Sequence, residues 1–193
     1  QLGTGESPTS AATSSIANVN DTGSVSVSGT VTQGQELSAN VSDADGTSGV
    51  TINYQWNRDE IAISDATTST YTLLQVDVGA EIAVAASYTD EFGSTESHTS
   101  GATSSVANLN DTGSVVVSGT ATQGEELSAS VSDADGISGV SISYQWKRTH
   151  FFWGDAVIDG ATSSSYTLTQ ADVGSAIKVT ASYTDQYNTA ENR

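Results

Sequence analysis

Residues 20–58 read NDTGSVSVSGTVTQGQELSANVSDADGTSGVTINYQWNR, and residues 110–148 read NDTGSVVVSGTATQGEELSASVSDADGISGVSISYQWKR. The second stretch is about three-quarters identical to the first, and Trp56 and Trp146 stand 90 residues apart. A repeat of that length is too long for a solenoid turn and suits one small self-contained domain. Within the first copy Leu37, Ala39 and Val41 alternate with polar neighbours, and so do Ile52, Tyr54 and Trp56. Tyr71 with Leu73, and Ile82, Val84, Ala86 and Tyr88, continue the pattern. Period-two alternation is the mark of a half-buried strand. The runs are separated by Thr32-Gln33-Gly34, Asp43-Ala44-Asp45-Gly46, Asp77-Val78-Gly79 and Glu91-Phe92-Gly93, which carry turn-forming residues. No helical period competes.

About seven short strands per repeat, with Trp on the third, predict an all-β chain of two tandem immunoglobulin-like β-sandwich domains. The expected strands of the first are A near 24–28, B 36–42, C 51–58, E 68–74, F 81–89 and G 94–107. There is no Cys, so the inter-sheet contact must be apolar, with Trp56 and Trp146 at its centre by their inward alternation. Residues 1–20 align without gaps on residues 91–110. Residues 1–18 are therefore expected to be the G strand of a preceding, truncated repeat, residues 19–108 the first repeat and residues 109–193 a second whose last strand is truncated. That leaves an open edge beside strand F and a spare strand of matching sequence, so the expectation is either head-to-tail self-association through residues 4–17 or a segment lying loosely along its own first domain.

Composition narrows the function classes. With 5 Lys and Arg against 23 Asp and Glu the formal charge is -18, which repels nucleic acid and anionic membrane surfaces. No run of apolar residues is long enough to span a bilayer, so no membrane insertion is expected. Catalysis has little support: there is no Cys nucleophile and no Ser-His-Asp arrangement with local support, and the carboxylates belong to turns rather than to an apolar cleft. The chain is expected not to be an enzyme.

Cations are the natural partners. In this fold the start of strand A, the B–C loop and the F–G loop share one pole. They carry Asn20 and Asp21, Asp43 and Asp45, and Asp90 in the first repeat, and Asn110 and Asp111, Asp133 and Asp135, and Asp185 in the second. Carboxylates gathered from distant sequence with almost no base nearby repel one another unless a cation sits among them. Hard oxygen ligands without His or Cys favour Ca²⁺. With Asn108 and with Asp77 from the preceding E–F turn, such an ion is expected to clamp the linker between neighbouring repeats. DADG opens like an EF-hand loop, but Tyr54 and Tyr144 occupy the twelfth position, so that motif is rejected.

VNDTG, SDADG, YQWxR, YTL followed by DVG, and SYTD together resemble the tandem Ig-like and cadherin-like repeats of very large calcium-dependent adhesins and surface proteins of marine Gram-negative bacteria, the RTX adhesins among them. The resemblance implies a calcium-stiffened extender or adhesion module, extracellular, at the bacterial cell surface.

The repeats part company after Arg148, where Thr149, His150, Phe151, Phe152 and Trp153 are inserted relative to the first copy. The first repeat closes without them, so the fold does not require them. His150, Phe151, Phe152 and Trp153 are candidate ligand-binding residues: aromatics stack on sugar rings or dock on a surface ligand, and His150 beside Asp155 adds hydrogen bonds. On that basis the alternative function is a carbohydrate-binding accessory module of a secreted polysaccharide-degrading enzyme.

Overall fold

The computed structural model describes residues 9–150 and 154–193. The first repeat contributes β1 (Ser24–Gly29), β2 (Glu36–Ser42), β3 (Asn53–Arg58), β4 (Ile61–Ala62), β5 (Thr70–Thr72), β6 (Ile82–Thr89) and β7 (Thr95–Thr99). One sheet runs β1-β2-β5 and the other β4-β3-β6-β7, every named pair antiparallel. In immunoglobulin letters these are A-B-E and C′-C-F-G, so the Ig-like sandwich expected from the alternation is the fold observed. The second repeat repeats the plan with β8 (Ser114–Gly119), β9 (Glu126–Ser132), β10 (Ser143–His150), β11 (Gly154–Val157), β12 (Ser165–Thr167), β13 (Ala176–Thr184) and β14 (Ala190–Asn192).

The core forms where the alternating runs face inward. Along β6 every second residue, Ile82, Val84, Ala86 and Tyr88, is buried. Trp56 and Trp146 are both fully buried. Each packs against a tyrosine of the opposite sheet, Tyr71 or Tyr166, with ring centroids 5.8 Å apart. A buried indole N–H needs an acceptor. Trp56 Nε1 donates to Thr68 O, and Trp146 Nε1 to Ser163 O, both at 2.9 Å. That hydrogen bond ties strand C to the segment entering strand E, a task a disulfide performs in other sandwiches.

Two features depart from the sequence reading. Strand E is shorter than expected, because the chain turns into a 3-10 turn at Gln75–Asp77 and again at Gln170–Asp172. Strand G is also short. It ends at Thr99, and the expected remainder to Ala107 crosses the sheet irregularly, using Ser100 and Thr103 hydroxyls as acceptors for Val84 N and Ile82 N, each at 3.0 Å.

By compactness the chain divides into two units. Thr32–Gln35, Leu73–Gly79 and Val106–Arg193 form one, and the rest of the chain the other. The second unit thus includes two turns drawn from the first repeat.

Candidate metal centre

Asp43 closes β2 into a tight turn. Its Oδ1 accepts the N–H of Asp45 at 2.9 Å, while its Oδ2 accepts the hydroxyl of Tyr88 at 2.8 Å. Asp90, at the end of β6, uses Oδ1 to accept the N–H groups of Phe92 and Ser94, at 2.8 and 2.9 Å, and so fixes the F–G turn. Glu96 is the inward residue of β7. Its Oε1 accepts Asn20 Nδ2 at 2.9 Å, its Oε2 lies 2.5 Å from His98 Nε2, and Gly23 N donates to it at 3.4 Å. These three carboxylates place one oxygen each within 4.8 Å of one another.

The second repeat builds the same site from Asp133, Asp185 and Glu191. Tyr183 donates to Asp133 at 2.7 Å, Asp185 holds the N–H groups of Tyr187 and Thr189, and Asn110 donates to Glu191 at 3.1 Å. One difference separates the two. Arg193 forms an ion pair with Glu191 where the first repeat has His98.

Electrostatics at the site follow from these contacts. The Glu96 carboxyl is held below its usual range, chiefly by the Asn20 hydrogen bond and then by His98, while burial pushes the other way. Burial, followed by the neighbouring carboxylates at Asp43 and Asp133, pushes the Tyr88 and Tyr183 phenols well above the ordinary tyrosine value. Both therefore stay protonated and donate.

Among the described residues, Asp90 Oδ2, Asp135 Oδ1 and Asp185 Oδ2 are buried with no hydrogen-bond partner. A buried carboxylate oxygen left unpaired is costly, and Asp90 and Asp185 carry theirs beside two further carboxylates. A hard divalent cation taking six to eight oxygens suits such a donor set. In the first repeat Asp43, Asp90 and Glu96 would hold it. In the second, Asp133, Asp185 and Glu191 would hold it in competition with Arg193.

The remaining candidate residues sort by position. Asn20 and Asn110 join the site as donors to its glutamates. Asp21 and Asp111 donate backbone N–H to Asp45 Oδ2 and Asp135 Oδ2 at 2.8 and 2.7 Å, and none of these four belongs to the triads. Asp111 turns its own carboxylate to Gln33 Nε2 at 2.9 Å, within the second unit. Asn108 accepts from Gln75 Nε2 at 3.5 Å. Asp77 is fully buried, belongs to neither triad and accepts Leu74 N at 2.6 Å, closing its 3-10 turn. Its counterpart Asp172 does the same for Thr169 and also pairs with Arg148 Nε at 2.5 Å.

Glu96 and Glu191 escaped the sequence reading, which took ligands from the start of strand A, the linker and the turns but none from within a strand. The signal was present. Asp90 and Glu96, and Asp185 and Glu191, keep one spacing although the residues between them change from EFGST to QYNTA.

The insertion after Arg148 lengthens a hairpin. In the first repeat β3 and β4 pair only through Asn57↔Ala62 and Arg58↔Ile61, closed by Asp59 and Glu60 at φ 45° and 67°. In the second, Thr149↔Asp155 and His150↔Gly154 extend the ladder. Asp155 accepts from Thr149 Oγ1 at 2.7 Å and from Lys178 Nζ at 3.3 Å, whereas His150 Nδ1 lies 3.3 Å from Ser175 Oγ. The expected His150–Asp155 partnership is thus replaced by Thr149, because neighbours along a strand face opposite ways. Phe151, Phe152 and Trp153 lie outside the described residues.

With the geometry established, comparison with known proteins is informative at the level of domain type. A family model described as the AIR9 A9 domain, IG_AIR9, matches residues 111–184. The match covers most of the second repeat. Among solved structures the chain is similar to the three N-terminal domains of the bacteriophage RB49 Highly Immunogenic Outer Capsid protein (Hoc), with 20% identity and a TM-score of 0.35. The alignment covers 89% of this chain and spans 57% of that one. No curated protein matches.

Proposed function

We propose that this chain is a non-catalytic spacing and interaction module of an extracellular surface protein, in which each Ig-like repeat is stabilised by Ca²⁺ at its acidic pole. The observation that carries this reading is the carboxylate triad built twice, with an unpartnered buried oxygen of Asp90 in one copy and of Asp185 in the other. An ion there ties strand B, the F–G turn and strand G together, so it raises the stability of the sandwich by binding the folded state alone. The formal charge of -18 supports an environment in which divalent cations are plentiful. Domain resemblance supports the surface role, since tandem Ig-like repeats with these motifs act as extenders in calcium-dependent bacterial adhesins.

The test is thermal unfolding at fixed ionic strength with Ca²⁺, Mg²⁺ or EDTA, on the native chain and on Asp90→Asn, Asp185→Asn and the double variant. A hundredfold excess of Ca²⁺ over its dissociation constant should stabilise each responsive unit by about 2.7 kcal/mol. Each single substitution should abolish the response of its own repeat and leave the other. The first repeat should bind more tightly, because Arg193 competes in the second. Equal midpoints in Ca²⁺ and EDTA would refute the proposal.

A further inference from the structure

The chain has two lysines, and the register of the β11-β10-β13-β14 sheet sets them opposite each other. Lys147 on β10 and Lys178 on β13 are Cα partners, and both stand on the outer face because their neighbours Trp146 and Val179 point into the core. Like charges directly opposite one another in a sheet are destabilising. Asp155 takes Lys178 Nζ at 3.3 Å, whereas Lys147 has no ion-pair partner among the described residues. Arg148 and Arg193, by contrast, are tied to buried carboxylates, Asp172 and Glu191.

The first repeat treats the same two positions in the opposite way. There the pair is Asn57↔Ala83. With Ala85, the short side chain of Ala83 leaves a groove of about 470 Å³ on the outer face of β6, bounded on its far side by Thr99, Ser100 and Ala102. One end of this groove is acidic. Asp59 and Glu60 reach it from the β3–β4 turn and Glu81 from the residue before β6, all three exposed. Asp59 N donates to Glu81 O at 3.0 Å and Glu81 N to Asp59 Oδ1 at 2.9 Å, which holds the carboxylates at that end. Among the described residues no lysine, arginine or histidine forms an ion pair with any of the three. In the second repeat Ala176 stands in the place of Glu81.

The two faces are complementary in charge and in relief. A lysine is an aliphatic stem with a cationic head, and the groove offers alanine methyl groups along its floor and carboxylates at its end. We propose that the outer face of β10 and β13 in one copy of this chain docks on the outer face of β3 and β6 in a second copy. Lys147 and Lys178 enter the groove over Ala83 and Ala85, and their ammonium groups meet Glu60 and Glu81. Val157 is the Cα partner of Lys147 and 54% exposed, so it shares that face and adds an apolar contact. Pairing with the partner's carboxylates relieves the lysine–lysine repulsion. The two faces belong to different repeats, so the association is heterologous. It uses neither carboxylate triad and does not rest on ion binding there.

Sedimentation and light scattering of the 193-residue chain at physiological ionic strength test this, with circular dichroism to show that each variant is folded. The native chain should associate as concentration rises, and less so as salt is added. Lys147→Glu with Lys178→Glu should weaken association on the order of tenfold or more, because like charges then meet. Glu60→Lys with Glu81→Lys should weaken it as much, although it makes the chain less negative; repulsion between whole molecules would predict the reverse. An equimolar mixture of the two double variants should associate, since each supplies a face that the other lacks. So should the quadruple variant, which exchanges the two faces and keeps the native net charge of -18. A native chain that is monomeric at millimolar concentration overturns the proposal, as does a glutamate-to-lysine variant that associates as strongly as the native chain, or a mixture that stays monomeric. If the native chain is monomeric yet is retained on dextran sulfate through its lysines, the pair serves an anionic polymer and the contact between copies is overturned.

Discussion

Gly23 and Gly113 sit where strand A enters beneath the tyrosine of strand F. A β-carbon at Gly113 would lie 1.8 Å from the Tyr183 hydroxyl and 2.7 Å from Asp133 Oδ2, and at Gly23 the corresponding distances are 1.9 and 2.8 Å. Neither glycine is there for backbone freedom. Each keeps the chain close enough for a phenol to reach the carboxylate of the B–C turn. Gly113→Ala should therefore destabilise the second unit by about 1–3 kcal/mol. In Gly113→Ala with Tyr183→Phe the combined loss should be smaller than the sum of the two, since removing the hydroxyl relieves the clash; denaturant unfolding of all four forms measures that coupling. Strictly additive losses would show that the close approach is not what selects glycine. The site was half legible from sequence at this scale. Asp43, Asp90, Asp133 and Asp185 announce themselves by lying in turns at one pole. Glu96 and Glu191 lie within a strand, where a carboxylate reads as an outward residue until the register shows it pointing in. Gly23 and Gly113 carried no such signal, because a close approach is a property of the packed fold.

Among the elements, the hairpin of β10 and β11 is where the second repeat carries an insertion relative to the first. Its added pairs, Thr149↔Asp155 and His150↔Gly154, stand beyond the last pair shared with the first repeat. Deleting residues 149–153 leaves Gly154 and Asp155 between Arg148 and Ala156, the positions that Asp59 and Glu60 occupy between Arg58 and Ile61. Gly154 already has φ 75°, as a tight hairpin turn requires. The shortened chain should fold and melt within a few degrees of the native one, read by circular dichroism and by Trp146 fluorescence; loss of the second unit would mean that the longer hairpin is part of its core. Strands B, C and F were readable because one face of each is apolar and the other polar. Strand G was misjudged beyond Thr99, since Ser, Thr and Ala fit a strand or a crossing loop equally well by alternation, and the choice is made by hydroxyls that accept Val84 N and Ile82 N.

For the whole chain, acid stability weighs self-repulsion against anchored carboxylates. Protonation lowers the charge of -18 and weakens repulsion in the folded state. The carboxyls that move, however, move down. Burial alone would raise Asp172, but hydrogen bonds from Thr169, Tyr166 and Arg148 outweigh it; Asn20 and His98 hold Glu96 down, and Thr149 and Lys178 hold Asp155 down. A depressed folded pKa means that the unfolded chain binds protons first, so this stabilisation is complete above the ordinary carboxylate range near pH ~4 and is lost as pH falls through the folded values. Melting temperature should hold between pH 7 and 5 and drop below about 4, and Asp172→Asn should flatten that drop in the second unit. A midpoint that rises on acidification would show repulsion to be the larger effect. Asp90 and Asp185 divide their labour between two oxygens, Oδ1 holding the F–G turn and Oδ2 buried without a hydrogen-bond partner. Asparagine keeps the first oxygen and surrenders only the second, and the two codon sets differ by a single base. A lineage of such repeats can therefore switch individual modules between ion-taking and ion-free forms one point mutation at a time, without rebuilding a loop.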